Sequence, residues 1–389
     1  MAVLVKGSGG GAKGGFPNGT EWTQSNITNY DFYSICDFKG LLVAAAYGGL
    51  FYSEDGKTWT QSNITSEMFY YVHYFEAKGL LVVGGSNTSR AGLYYSEDGK
   101  TWTQSNITSG TFTDVYDFKD LLVASKGTPN QNDLKGLYYS YDGKTWTSSN
   151  QMYIKSYSRS SNLATVYGDG IGLSGTWGNG LYYSEDGKTW TQSNILSGDY
   201  VYAVYYADGI WVVGGDHKGT GLYYSEDGKT WTQSNVTDKK IGCIYHADGI
   251  WVAGCMGDSG LCYSEDGKTW EQSNVTSGNF RYIYYFNGLW VTKGGGGSYY
   301  SKDGKTWTQN NLPSEFSCIA FSNGIWLASA SRNVYYSTDG KTWIVTNITG
   351  GNDFGIFIAH SESKGIWIHG CNSINGGKGV LYSVSWEPS

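Results

Sequence analysis

The heptapeptide Ser53-Glu54-Asp55-Gly56-Lys57-Thr58-Trp59 returns as S-x-D-G-K-T-W at Ser96–Trp102, Ser140–Trp146, Ser184–Trp190, Ser225–Trp231, Ser264–Trp270, Ser301–Trp307 and Ser337–Trp343. An Asp-Gly pair is a strong turn signal. The carboxylate accepts backbone N–H groups within its own turn, and glycine enters positive φ without penalty. A short aromatic run (LYYS and its relatives) precedes each copy, and a polar run, commonly TWTQSN, carries the chain away. Each copy therefore reads as a hairpin turn between two strands.

Working outward from one copy gives the whole unit. Residues 200–207 (YVYAVYYA) predict a first strand, Asp208-Gly209 a tight turn, 210–214 (IWVVG) a second strand, 222–225 (LYYS) a third and KTWTQSN a fourth. The motif tryptophans, together with Trp22 before them and Trp386 after them, lie 36–44 residues apart. A period near 40 residues with four strands per period is the signature of propeller blades. Sets of three strands begin near residues 32, 69, 112, 162, 200, 241, 280, 316 and 354, and the last set has no full fourth strand behind it. The missing strand stands at the other terminus, where Glu21-Trp22-Thr23-Gln24-Ser25-Asn26 repeats the internal fourth strands. The expectation is an all-β, nine-bladed β-propeller of four-stranded antiparallel blades, closed by the N-terminal strand completing the last blade. Eight blades with one extra hairpin is the alternative. Residues 1–20 read as a glycine-rich leader and 21–389 as a single domain of nine repeats.

Composition agrees. Of 389 residues 57 are glycine and only 4 proline, and aromatics make up 16%, which suits short strands joined by tight turns. The net charge of -7 and the lack of any basic block leave a nucleic-acid backbone without a seat. The opening MAVLVKGSGGGAKGG has no apolar core of a conventional secretory signal, and no apolar run is long enough to predict a membrane span. This pattern is compatible with a cytoplasmic protein, or with a bacterial or bacteriophage surface structure assembled from the cytoplasm.

The six cysteines, Cys36, Cys243, Cys255, Cys262, Cys318 and Cys371, do not recur with the repeat, and read as mostly buried free thiols. Cys255 and Cys262, on neighbouring strands, are the one pair placed for a bond. No metal or cofactor site is expected, since the histidines are scattered singly and no CxxC occurs. The NxT sequons at Asn18, Asn26, Asn63, Asn106, Asn235, Asn274 and Asn347 read mainly as copies of the TQSNIT unit.

The repeated S-x-D-G-K-T-W between third and fourth strands resembles the Asp-box of sialidase-type, or BNR-repeat, β-propellers, over residues 21 to 386. The resemblance implies a superfold and a turn, because the box occurs in enzymes and binding proteins alike. For a sialidase it implies three arginines gripping a substrate carboxylate, with a tyrosine nucleophile and acidic helpers. The chain has four arginines, Arg90, Arg159, Arg281 and Arg332, and none stands in the family's Arg-Ile-Pro pattern. No catalytic residue is assigned.

Repetition itself locates the functional end. The Asp-Gly turns and boxes at one end of the unit are nearly constant, whereas the second-to-third-strand loops and interblade connections at the other end differ from copy to copy. Variation collected on one end of a constant scaffold marks recognition loops. The candidate ligand-binding residues there are Tyr70, Tyr153, Tyr157, Trp177, Asp216 and His217. Of Tyr70 and Tyr71, alternation turns one inward. The leading reading is a non-enzymatic recognition or scaffold propeller binding a glycan or a surface protein. The alternatives are a glycoside hydrolase using a carboxylate pair drawn from Asp114, Asp199, Asp216, Asp258, Glu315 and Asp353, and a purely structural assembly protein.

Overall fold

A computed structural model describes residues 22–28, 30–85, 92–127, 136–150, 165–176, 180–195, 200–216, 221–314, 316–330, 333–346, 354–372 and 379–384. Their strands form nine four-stranded antiparallel sheets, the organisation of a nine-bladed β-propeller. Blade 1 shows the pattern, with strands Phe32–Phe38, Leu41–Ala46, Gly49–Ser53 and Thr60–Gln61. The ninth sheet takes three strands from the C-terminal part, Phe354–Ser361, Ile366–Asn372 and Val380–Val384. Its fourth is Thr23–Gln24, with Thr23 opposite Tyr382 and Gln24 opposite Leu381. The closure expected from the EWTQSN repeat is therefore present.

By contact density the chain divides into two compact units: residues 1–116, 140–146 and 315–389, and residues 117–139 and 147–314. Within each, the apolar cores lie between successive sheets. In the first unit one cluster joins Phe32, Leu42 and Trp59 of blade 1 to Phe357, Ile366 and Ile368 of blade 9. A second joins Val43 and Leu50 to Phe69, Val83 and Trp102 of blade 2. In the second unit Val212 and Leu222 of blade 5 pack with Ile241, Trp251 and Trp270 of blade 6. A lone blade has no partner for its apolar faces, so its stability comes from its neighbours.

The Asp-Gly pairs between first and second strands are two-residue turns with both residues at positive φ, as at Asp208 (50°) and Gly209 (77°). That geometry matches the twist of the flanking strands. The boxes are equally regular. Asp55 Oδ1 accepts the backbone N–H groups of Lys57 (2.8 Å) and Thr58 (2.7 Å) and the Ser53 hydroxyl (3.1 Å). The Ser53 oxygen in turn takes the Gly56 N–H at 2.7 Å, and Trp59 Nε1 donates to the Gly56 carbonyl at 3.2 Å. Gly56 is required twice over. Its φ is 72°, and a Cβ there would lie 2.0 Å from Ile366 of the preceding blade.

The fourth strands pair over two residues only, as in Thr60–Gln61 and Thr103–Gln104, rather than along the whole TWTQSN run. The rest of the run has another task. The side chain of Asn63 accepts the Trp102 N–H at 2.8 Å and donates to the Trp102 carbonyl at 2.9 Å, so the last residue of one blade's motif holds the box of the next. Asn26 grips Trp59 in the same way, Asn106 grips Trp146, Asn150 grips Trp190, Asn235 grips Trp270 and Asn274 grips Trp307. Five of the sequon asparagines are thus structural clamps whose amides are already committed. Asn63→Ala is expected to lower stability by about 1–3 kcal/mol, because it strands a backbone donor and acceptor at the junction. Asn63→Asp, which keeps only the acceptor, falls between. Urea titration followed by tryptophan fluorescence checks both.

Candidate functional site

The two ends of the blades differ in what their side chains do. At the box end, lysines reach back to the preceding box: Lys100 to Glu54 (2.7 Å), Lys144 to Glu97 (2.5 Å), Lys268 to Glu226 (2.6 Å), and likewise Lys229 to Glu185 and Lys305 to Glu265. The Lys100 ammonium also stands over the Tyr52 ring, 5.5 Å from its centroid, and Lys268 over Tyr224 at 5.8 Å. These pairs are exposed and screened by water, so their weight in stability is small. The pairs recur through much of the box end, although Tyr141, Lys302 and Thr338 stand where the other boxes carry glutamate. The box aspartates behave as scaffold too. Burial pushes the Asp227 carboxyl up, but the N–H bonds from Thr230 and Lys229 and the Ser225 hydroxyl outweigh it and hold the group at about 2.

The opposite end is built on a recurring irregularity. Near its start, the first strand slips register by one residue against the second: between Phe32 and Ser34 in blade 1, Phe69 and Tyr71 in blade 2, Val201 and Ala203 in blade 5, Ile241 and Cys243 in blade 6, and Phe316 and Cys318 in blade 8. A bulge of this kind re-aims the extra residue's side chain. In these five blades the residue before the bulge is an apolar anchor, Phe32, Phe69, Ile241 and Phe316 being wholly buried and Val201 nearly so, whereas blade 9 slips between Gly355 and Phe357 with glycine at that place. The bulged residue itself varies: Tyr33, Tyr70, Tyr202, Gly242 and Ser317. Buried apolar anchor and variable neighbour lie side by side in the chain, and the bulge sends them to different surroundings.

In the first unit Tyr33 and Tyr70, both half-buried, meet edge to face with centroids 5.1 Å apart. Tyr71 is half-buried as well, so the bulge replaces the simple alternation expected of Tyr70 and Tyr71. Tyr71 stacks beside His73, 6.1 Å between centroids, and its hydroxyl lies 3.5 Å from His73 Nδ1. At the start of blade 3, desolvation raises the Asp114 carboxyl to about 7, with His73 drawing it the other way. Tyr47, 59% exposed, bridges to Met68 across the same end.

In the second unit Asp216, at the end of a second strand and opposite Tyr200, pairs with Lys240 of blade 6 at 2.9 Å. Tyr200 and Tyr202 stack with 6.2 Å between centroids and 10° between planes. Burial and then the Asp216 charge push the Tyr202 phenol up, while Arg281 and Lys240 oppose them. At the blade 6 bulge Gly242 permits close approach of the next blade, since a Cβ there would lie 2.5 Å from the Phe280 carbonyl oxygen. Arg281 and Tyr282 follow in blade 7, with the Lys293 ammonium 4.6 Å from the Tyr282 ring centroid. Aromatic rings and charged groups thus share the loop end of blades 5 to 7.

Of the residues anticipated from sequence, Tyr70 and Asp216 stand at this end. Tyr153, Tyr157, Trp177 and His217 lie outside the described residues, as do Asp199, Glu315 and Asp353. Asp258 is used locally, accepting the Gly278 N–H at 2.5 Å. Among the described residues no three histidine, cysteine or acidic side chains gather as a metal site, and no helix is long and apolar enough to cross a membrane. Tyr33, Tyr202 and Arg281 were not anticipated. The available signal was substitution at the residue following each buried anchor.

Comparison with known proteins bears on the fold. No protein-family model matches the chain, and no curated protein does. Among solved structures, it is similar to the computationally designed Ika8 protein, with a TM-score of 0.54 at 11% identity over 94% of this chain and 100% of that one. It is also similar to Sqt1 of Saccharomyces cerevisiae, with a TM-score of 0.53 at 12% identity over 82% and 95%. Likeness at such identity is one of fold alone.

Proposed function

We propose that the chain is a recognition propeller, in the manner of the non-enzymatic Asp-box proteins that its repeat resembles, and that it binds a glycan through the loop end of its blades. The observation that carries this reading is the set of bulges, where variable side chains, three of them tyrosines, follow buried apolar anchors in blades 1, 2, 5, 6 and 8. Tyrosine faces stack on the apolar faces of sugar rings, and neighbouring charged and amide groups fix the hydroxyls. Stiff aromatics also lose little freedom on binding. At the box end five lysines are instead engaged with the glutamates of neighbouring boxes.

A glycan array, followed by a hydrolysis assay on every hit, tests the proposal. Binding without turnover is the expected result. Turnover would favour a second reading, a glycoside hydrolase, for which Asp114 is the specific observation: a carboxyl titrating near 7 is protonated often enough at neutral pH to serve as a general acid. Under that reading Asp114→Asn abolishes turnover. Under ours no turnover exists to abolish, and a chain that binds no glycan contradicts both.

A further inference from the structure

In blade 6 three departures from the repeat meet at one point. Leu261-Cys262-Tyr263-Ser264 stands where blades 2 to 5 carry LYYS, Cys255 stands where blades 2 and 5 carry Gly85 and Gly215, and Lys239 stands where the connections into blades 3 and 7 carry Gly110 and Gly278. Ala253 lies opposite Cys262, so Cys255 is its diagonal neighbour across the two strands. The two Sγ atoms are 3.8 Å apart, and Lys239 Nζ is 3.5 Å from Cys262 Sγ. Lys239 and Gln272, themselves hydrogen-bonded, cover the pair, whose residues are 0% and 1% exposed.

We infer that Cys262 and Cys255 form a reversible dithiol–disulfide couple that reduces hydrogen peroxide, with Cys262 as the attacking thiolate and Cys255 as the resolving thiol. Lys239 favours Cys262, since its ammonium stands within 3.5 Å of that sulfur. The Cys255 S–H contact first, and Lys239 with it, draw Cys262 down, while Cys255 is pushed up. The thiolate attacks the peroxide and breaks the O–O bond. One oxygen stays as the Cys262 sulfenic acid, and the other leaves as hydroxide and takes a proton to become water. Cys255 then attacks the Cys262 sulfur. The S–S bond forms, and the sulfenic oxygen leaves as a second water carrying the Cys255 proton. Two thiols are oxidised and one peroxide is reduced. A diagonal pair closes only with a small backbone shift, so the bond is strained and readily reduced. Cys255 also holds the loop end, because its carbonyl accepts the Phe280 N–H at 2.8 Å.

The test treats the native protein with hydrogen peroxide at pH 7, alkylates it, and cleaves before Asp248, Asp258 and Asp266, which separates Cys255 from Cys262. Fragments 248–257 and 258–265 are expected to remain joined until a thiol reductant parts them. Cys262 is expected to be consumed about tenfold faster than Cys243, Cys318 or Cys371. Lys239→Met slows that step about tenfold and Lys239→Arg restores most of it. Cys255→Ser halts at a sulfenic acid that dimedone captures. Consumption of Cys262 no faster than Cys318, joining of Cys262 to any other cysteine, or an unchanged rate in Lys239→Met would overturn the inference.

Discussion

A chain beginning at Tyr30 is expected to be about 5 kcal/mol or more less stable than one beginning at Glu21, and to lose its single sharp unfolding transition. The short segment between them does three things. Trp22, 8% exposed, packs with Leu327, Trp367 and Leu381 and meets His369 edge-on at 5.8 Å. Ser25 N–H and Gln24 Nε2 both donate to the Val380 carbonyl, at 3.1 and 3.0 Å. Asn26 clamps Trp59 of blade 1. Loss of a buried tryptophan alone costs about 3–5 kcal/mol, and the clamp about 1–3 more. Guanidinium titration monitored by circular dichroism measures the difference. A synthetic peptide spanning Glu21–Thr28, added to the shortened chain, is expected to restore stability by strand addition. An unchanged midpoint would mean that the ninth sheet does not need its fourth strand.

Acid is expected to unfold the protein in two stages. His369, 4% exposed, has Ser329 Oγ at 3.1 Å and Cys371 Sγ at 3.2 Å on its two ring nitrogens, and burial lowers it to about 4. Burial likewise lowers His360 to about 4. Both are neutral in the folded state and ionise near 6.5 when unfolded. Their contribution is therefore complete above pH 6.5 and is lost as pH falls toward 4. Each forfeits about 2 kcal/mol between pH 7 and pH 5. The second stage belongs to the box aspartates. Their folded values are depressed, so the stability they supply is present above about pH 4 and is lost as pH falls toward the folded value, about 2 for Asp227. Urea midpoints at pH 7 and pH 5 are expected to differ markedly in the parent chain and to converge in a His360→Phe, His369→Phe double variant. A double variant as pH-sensitive as the parent would rule the histidines out.

The features of the fold legible in the sequence are those that repetition exposes. Asp-Gly turns, the 36–44-residue tryptophan spacing and the stray EWTQSN each depend on local chemistry, and each appears in the fold where it was expected. The clamp was hidden because Asn63 and its counterparts sit at the end of a polar run that reads as strand, while their partners lie 33–40 residues further on. The bulge was hidden for a different reason. Alternation along Phe69-Tyr70-Tyr71 predicts one buried and one outward tyrosine, and only pairing with Gly84 and Gly85 reveals the extra residue. Asp114 and His73 stand on different blades, so their proximity depends on packing that a linear pattern does not carry.

The central claim, that one end of the blades builds the scaffold and the other recognises, is tested most directly by affinity for a glycan that the array identifies. Isothermal titration would compare the parent with Tyr33→Ala/Tyr70→Ala at the bulge row and Lys100→Ala at the box end. A loss of at least about tenfold is expected in the first variant, since two stacking faces are removed, and an unchanged constant in the second. Parent-like affinity in the tyrosine variant together with a loss in Lys100→Ala would place recognition at the boxes and contradict it.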